Sequence, residues 1–343
     1  MAFSLKDILR KNIADLVPYS SARDEYSGSA KVFLDANENP YPTGLNRYPD
    51  PYQSRVKELL APIKGVEPSQ IFLGNGSDEA IDLIIRATCQ PDIDRIAQLT
   101  PTYGMYRVCA DIQGVETINI PLNQSFDIDI ETTLIMASGC KVLFLCTPNN
   151  PTGNSLDAES IKQLLTEFKG LVVIDEAYID FSKSDSMTTL INDHSNLIVL
   201  QTLSKAWGLA GIRMGLAISN NEIISVLNKI KYPYNLNQLA IDKACEALSD
   251  QASKDQKVNE ILEQRDILAS ELKDLSIVKK IFPSEANFLL VEFEDAKATY
   301  GMLLDRDIIV RDRSGVPGLP NCLRITVGTP EENRMLIKTL KEI

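Results

Sequence analysis

The run Lys141-Val142-Leu143-Phe144-Leu145-Cys146 is apolar and breaks into Thr147-Pro148-Asn149-Asn150-Pro151-Thr152-Gly153. A second run, Leu171-Val172-Val173-Ile174, ends in Asp175-Glu176-Ala177-Tyr178. Continuous apolar runs bounded by turn formers read as strands buried on both faces, the mark of a parallel sheet. From about Asp50 to Asn228 such runs alternate with helical periods, with strands beginning at Ile71, Arg95, Thr117, Lys141, Leu171, Leu197 and Gly215. This alternation predicts an α/β fold with a mostly parallel, doubly wound sheet. Ligands of such sheets bind beyond the carboxyl ends of the strands. Asn149, Asp175 and Tyr178 lie at those ends.

Farther along, Thr202-Leu203-Ser204-Lys205-Ala206-Trp207-Gly208-Leu209-Ala210-Gly211, with Arg213 beyond it, puts an amine, hydroxyls and a guanidinium in one small-residue loop. A lysine amine condenses with an aldehyde cofactor. Thr202, Ser204 and Arg213 are the donors a phosphate dianion needs, and arginine can grip it bidentately. A lysine in a Gly/Ala loop is ordinarily a solvated turn residue. Beside phosphate ligands it points to pyridoxal phosphate (PLP). Asp175 would then keep the pyridine nitrogen protonated, and Asn149 and Tyr178 would hydrogen-bond the ring's phenolic oxygen. Each has a plainer alternative, as a turn Asn, a capping Asp and a half-buried Tyr. Upstream, Gly74-Asn75-Gly76-Ser77-Asp78-Glu79 follows Ile71-Phe72-Leu73 and precedes a helical pattern. Glycines before a helix start let the backbone approach an anion, although a plain helix cap also explains them.

The chain has 343 residues, enough for two lobes, and an ordinary globular composition with 44% hydrophobic and 24% charged residues. Its formal net charge of −12 argues against broad binding of nucleic acid or anionic membrane. The single histidine, His194, lies in a polar stretch. It reads as a surface loop residue, and neither a catalytic triad nor a His-rich metal site can be built around it. Cys89, Cys109, Cys140, Cys146, Cys245 and Cys322 form no C-x-x-C pair, and several sit in apolar runs. Buried thiols of this kind fit a reducing cytoplasm. No signal-like apolar core or bilayer-length span is evident, so no membrane association is expected.

Residues Ala2 to Tyr19 carry a short amphipathic helical pattern, and Lys231-Tyr232-Pro233-Tyr234-Asn235 reads as a linker. A long helical segment follows from Leu239 to about Leu275, then short strand-like and helical segments that suggest a smaller α+β lobe. The expected division is an arm of residues 1–45 packing on the small domain and a partner, a large domain of 46–235, and a small C-terminal domain of 236–343.

Taken together, these motifs resemble the fold-type I PLP-dependent aminotransferases, and most closely the histidinol-phosphate aminotransferase branch. The likeness runs through Pro18-Tyr19-Ser20-Ser21-Ala22-Arg23, Leu34-Asp35-Ala36-Asn37-Glu38, Asn46-Arg47-Tyr48-Pro49 and Pro101-Thr102-Tyr103-Gly104-Met105-Tyr106. It continues through the Asn149, Asp175 and Lys205 motifs to Cys322-Leu323-Arg324-Ile325-Thr326-Val327-Gly328. Trp207 departs from the pattern, which usually has a smaller aromatic there.

The resemblance implies that Lys205 links covalently to the cofactor aldehyde and later moves the substrate proton. It makes Asp175 the partner of the pyridinium and has Tyr103 stack on the ring. Gly76, Ser77, Asp78, Ser204 and Arg213 would hold the phosphate. Tyr48 would reach it from the second subunit, which implies a homodimer. Tyr19, Asn37, Arg311 and Arg324 would meet the substrate. No metal is implied. The implied reaction is transamination between histidinol phosphate and 2-oxoglutarate, or imidazole acetol phosphate and glutamate in the biosynthetic direction. Its rivals are a lyase acting on a phospho-amino acid such as threonine phosphate, an aromatic or broad aminotransferase, and a non-catalytic PLP-binding regulator.

Overall fold

Seven apolar runs become the strands of one sheet: β1 (Ile71–Asn75), β2 (Arg95–Thr100), β3 (Glu116–Pro121), β4 (Val142–Cys146), β5 (Leu171–Asp175), β6 (Leu197–Thr202) and β7 (Met214–Ser219). They come from a computed structural model that describes residues 3–20 and 30–342. Ser21, Ala22 and Arg23 of the opening motif lie outside the described residues. The strand order is β1-β7-β6-β5-β4-β2-β3. β2 to β6 pair in parallel, and β7 alone runs against both its neighbours. β4, β5, β6 and β7 are buried along their whole length, which is why they lack polar alternation.

Helices cover both faces. Ser54–Lys64, Ala158–Glu167 and Gln238–Leu248 close one side through Val56, Leu60, Ile161, Leu164 and Ile241. Ser77–Thr88, Met105–Ile112 and Asn221–Ile230 close the other through Ile81, Ile84, Ile85, Tyr106 and Leu227. Each fully buried Leu, Ile or Phe contributes about 1.5–3 kcal/mol by leaving water.

The direction of β7 matters for function. Thr202 at the end of β6 lies opposite Gly215, and Asn75 at the end of β1 lies opposite Met214. The start of β7 therefore meets the ends of β1 and β6 at one edge of the sheet. There Gly215 touches the entry to the helix Ser77–Thr88, and a Cβ at Gly215 would lie 2.0 Å from Ser77 N. Gly215→Ala is expected to force this contact apart at a cost of about 1–3 kcal/mol or more. A lowered thermal midpoint, together with weaker retention of PLP, checks it.

A second, antiparallel sheet has the order β10-β11-β9-β8. Its strands are β8 (Val278–Ile281), β9 (Phe288–Phe293), β10 (Arg311–Asp312) and β11 (Cys322–Thr326). The helices Gln251–Lys273, Ala296–Leu304 and Pro330–Leu340 bury Leu268, Leu272, Leu303, Leu336 and Leu340 against it.

Several expectations change here. The single long helix after Leu239 is two helices, Gln238–Leu248 and Gln251–Lys273. Asp250 breaks the pattern because its side chain accepts from Ser253 N–H and caps the second helix. The first of the two packs under the large sheet, so the expected border at 235/236 falls inside the large core. Lys231–Asn235 is a packed connector rather than a free linker. Lys231 Nζ donates to Pro51 O at 2.8 Å, and Asn235 Nδ2 donates to Leu73 O at 2.9 Å.

The N-terminal helical pattern resolves into two single turns, Leu5–Ile8 and Lys11–Ala14. Phe3, Leu5 and Ile8 pack on the helix layer of the large sheet, and Arg10 N–H donates to Ala87 O, so this part of the arm does not dock on the small sheet. His194 lies in a loop as expected, but it is half-buried rather than on the open surface.

Candidate active site

A cavity opens at the carboxyl edge of the large sheet. Its walls include Gly76, Ser77, Asp78, Tyr103, Asp175, Tyr178, Ser204, Lys205 and Arg213. Loops that are far apart in sequence meet because their strands end side by side. Cys146, Asn150, Ala177 and Thr202 complete the lining.

One wall suits a phosphate. Gly76, at φ 74°, caps the helix Ser77–Thr88 without any side-chain hydrogen bond, so its first N–H groups remain for an anion. Arg213 sits in the left-handed region at φ 55°. A non-glycine residue holds that conformation at a cost of about 1–2 kcal/mol. The turn brings its Nη1 to 3.5 Å from Ser204 Oγ and its Nη2 to 3.4 Å from Asp78 Oδ2. A Cβ at Gly76 would lie 2.8 Å from Arg213 Nη2, so the glycine leaves room for the guanidinium. Tyr103 Oη donates to Asp78 Oδ1 at 3.0 Å, which steadies the phenol ring at the cavity wall.

The floor suits a cationic ring nitrogen. Asp175 is 2% exposed at the end of β5. Burial pushes its carboxyl up from 3.8 to about 6, opposed by hydrogen bonds from Tyr106 and Ala177 N–H; Asp78 adds to the rise and Lys205 opposes it. A cation in the cavity would relieve that penalty, as a pyridinium does. The shift also predicts a pH dependence. A folded pKa above the unfolded one gives stability that is present below pH 3.8 and lost as pH rises through about 6. With the cofactor removed, stability is expected to fall by about 3 kcal/mol across that window. Urea unfolding at both ends of the window checks it, and Asp175→Asn should flatten the slope.

Lys205 reaches the cavity on its open side, with Nζ 5.5 Å from the Tyr178 ring centroid. Desolvation by the cavity walls, and then the Arg324 charge, hold its amine below the usual lysine range. A depressed amine pKa is what a nucleophile and proton carrier needs.

The structure corrects one asparagine. Asn149 does not line the cavity. Its Nδ2 donates to Pro101 O at 2.9 Å and to Thr152 Oγ1 at 2.7 Å, while Oδ1 accepts from Thr102 Oγ1 at 3.3 Å. The cavity residue is Asn150, whose Oδ1 accepts from Arg324 Nη1 at 2.5 Å. Only the path of the turn distinguishes these neighbours, and the sequence gives no local signal for it.

Arg324 on β11 lies beside Arg311 on β10 in register, with its guanidinium 5.3 Å from the Phe288 ring centroid. Arg313, passed over in the sequence, joins them. Burial and the neighbouring Arg324 and Arg311 charges lower its pKa to about 10. Nε of Arg313, Nε of Arg324 and Oγ of Ser314 are buried without a hydrogen-bond partner among the described residues. Unsatisfied donors on a cationic strand pair suit an anionic ligand.

Tyr48, Tyr19 and Asn37 lie elsewhere. Tyr48 stacks on Tyr234 at 4.4 Å beside a separate groove that Asn37 also lines. Tyr19 is 72% exposed. Trp207 is buried in the core of the large sheet, with Lys254 Nζ 5.5 Å from its ring centroid. Among the described residues no cluster of His, Cys, Asp and Glu could hold a metal ion.

Known proteins resemble this chain in sequence and in fold. The profile of the aminotransferase class I and II family matches residues 28–340. A histidinol-phosphate aminotransferase of Parabacteroides distasonis is 54% identical, covering 99% of each chain. The corresponding protein of Cytophaga hutchinsonii is 50% identical over 99% of each. A solved Sinorhizobium meliloti histidinol-phosphate aminotransferase in complex with pyridoxal-5'-phosphate superposes with a TM-score of 0.81 at 26% identity, covering 90% of this chain and 89% of its own. The chain belongs to the aminotransferase class I and II family, within the histidinol-phosphate aminotransferases.

Proposed function

We infer that this protein is a PLP-dependent aminotransferase of histidine biosynthesis. It exchanges the amino group between histidinol phosphate and 2-oxoglutarate and runs from imidazole acetol phosphate and glutamate in the biosynthetic direction. The observation that carries the reading is the shared cavity, in which Lys205 and Asp175 face a phosphate cradle built from Gly76, Ser77, Ser204 and Arg213.

Bound PLP supplies an aldehyde for the substrate amine and an electron sink for the charge that develops when the Cα–H bond breaks. Ser77 and Asp78 N–H groups, Ser204 Oγ and Arg213 hold its phosphate. Tyr103 would pack against the ring, Tyr178 and Asn150 would hydrogen-bond its oxygen, and Asp175 would keep the ring nitrogen protonated. Lys205 Nζ, its amine held below the usual lysine range by desolvation, would take the proton from the substrate Cα and return it to the adjoining cofactor carbon. Arg324 and Arg311 bind the phosphate of one substrate and the carboxylate of the other, since a guanidinium fork fits both.

We place the enzyme in the cytoplasm as a homodimer in which Tyr48 reaches the partner's phosphate site. The arm leaves Val17, Leu34 and Tyr41 strongly exposed, and Leu239 borders the Tyr48 groove. Apolar surface of this extent suits a contact with a second copy. The large sheet and its helices would form the cofactor domain, and the second sheet the small domain.

An absorbance scan tests the reading. Purified protein should carry a visible band that bleaches on histidinol phosphate and returns with 2-oxoglutarate. Release of CO₂ from a phospho-amino acid without glutamate formation would indicate the lyase instead. Faster turnover of phenylalanine would indicate the broad aminotransferase.

A further inference from the structure

The helix Met105–Ile112 is flanked and entered by two tyrosines with different tasks. Tyr103 lines the cavity. Tyr106 is fully buried behind it, meeting Tyr103 edge-on at 5.6 Å and stacking on Phe144 of β4 at 4.7 Å. A phenylalanine would fill this place equally well, without a hydroxyl to desolvate. The hydroxyl has a use: it donates to Asp175 Oδ2 at 2.7 Å.

We propose that Tyr106 is a positioning residue for the transamination, whose hydroxyl holds the Asp175 carboxylate ionised and turned toward the ring nitrogen of the cofactor. The proposal rests on the functional reading above.

Asp175 has few supports. Oδ1 accepts from Ala177 N–H at 3.1 Å, and Oδ2 accepts from Tyr106. The remaining lone pairs are left for the cavity that Asp175 lines. Of the charged groups around it, Lys205 favours the carboxylate and Asp78 opposes it. Tyr103, Tyr178 and Cys146 stand nearby with their acidities suppressed by burial. The Tyr106 phenol is likewise held protonated by burial and by Asp175, so it remains a donor. Without that donor a buried carboxylate takes up a proton more readily, and a neutral acid does not pair with a pyridinium.

The test is Tyr106→Phe. Wild-type and variant apoproteins are titrated with PLP between about pH 5 and 9, with the visible band as readout and borohydride reduction to confirm the Lys205 linkage. The variant is expected to bind PLP about 10- to 100-fold more weakly, and its affinity should fail at a higher pH on the acid side by about one unit. In an Asp175→Asn background the same substitution should add little, because no carboxylate remains to be held.

Wild-type affinity and an unmoved pH midpoint in Tyr106→Phe would overturn the proposal, whatever the thermal midpoint does. So would an equal loss in both backgrounds, which marks a packing role. Wild-type protein that takes up no PLP at Lys205 would remove the functional reading, and the Tyr106 assignment with it.

Discussion

Lys205→Ala is expected to lose turnover of histidinol phosphate with 2-oxoglutarate by about 10⁴-fold or more while the chain still folds. The reason is that one nitrogen carries two duties. Lys205 lines the cavity, and in the proposed mechanism its Nζ both attaches the cofactor and moves a proton at the substrate Cα. His194, the only histidine, lies in a loop and does not line this cavity. The fold should survive because Lys205 is exposed on the open side of the cavity and supports no core packing. Steady-state rates with circular dichroism as a folding check measure this. Near-wild-type turnover from a folded variant would end the mechanism.

Asp175→Asn is expected to cost about 3–4 kcal/mol of transition-state stabilisation, or a loss in kcat of about 10²–10³. Asparagine keeps the shape, and its one carbonyl oxygen can still accept from either Tyr106 or Ala177 N–H, which bond the two different oxygens of Asp175. It lacks the negative charge that stabilises a protonated ring nitrogen, and that charge is worth most in a water-poor site. Asp175 is nearly inaccessible at the end of β5, so solvent screens it little. The loss should appear mainly in kcat, with the substrate KM little changed, because the charge acts where electrons flow into the ring. A large rise in KM at constant kcat would mean that Asp175 serves binding alone.

These two residues were legible because their positions follow from local rules. A run of buried β-branched and aliphatic residues that stops at Asp175 must end a strand there, and strand ends of a parallel sheet are where ligands sit. Lys205 was legible from its chemistry among small residues and hydroxyls. The Gly76–Ser77 turn was legible because glycine permits the positive φ found there.

The misses have a common cause. Asn149 and Asn150 are adjacent and chemically alike, and which one faces the cavity depends on how the turn leaves β4 and meets Arg324 on β11, far along the chain. Tyr106 carries no mark of its role, because its partner Asp175 is supplied by another strand. Arg313 looks like any exposed arginine until the sheet pairs β10 with β11 and places it near Arg324. Helix continuity after Leu239 was misread because the apolar period runs on while Asp250 diverts the backbone through a cap.

The sequence by itself determined the parallel sheet and the places where its strands end, and it offered Lys205 and Asp175 as the amine and carboxylate of the proposed reaction. These depend on side-chain hydrophobicity and backbone sterics within a few residues. The tertiary structure alone decided that β7 runs against its neighbours and brings Arg213 to the edge where Ser77 and Lys205 lie. It also decided which asparagine, tyrosine and arginines converge there. Such convergence is set by strand order and register, which depend on packing between segments more than a hundred residues apart.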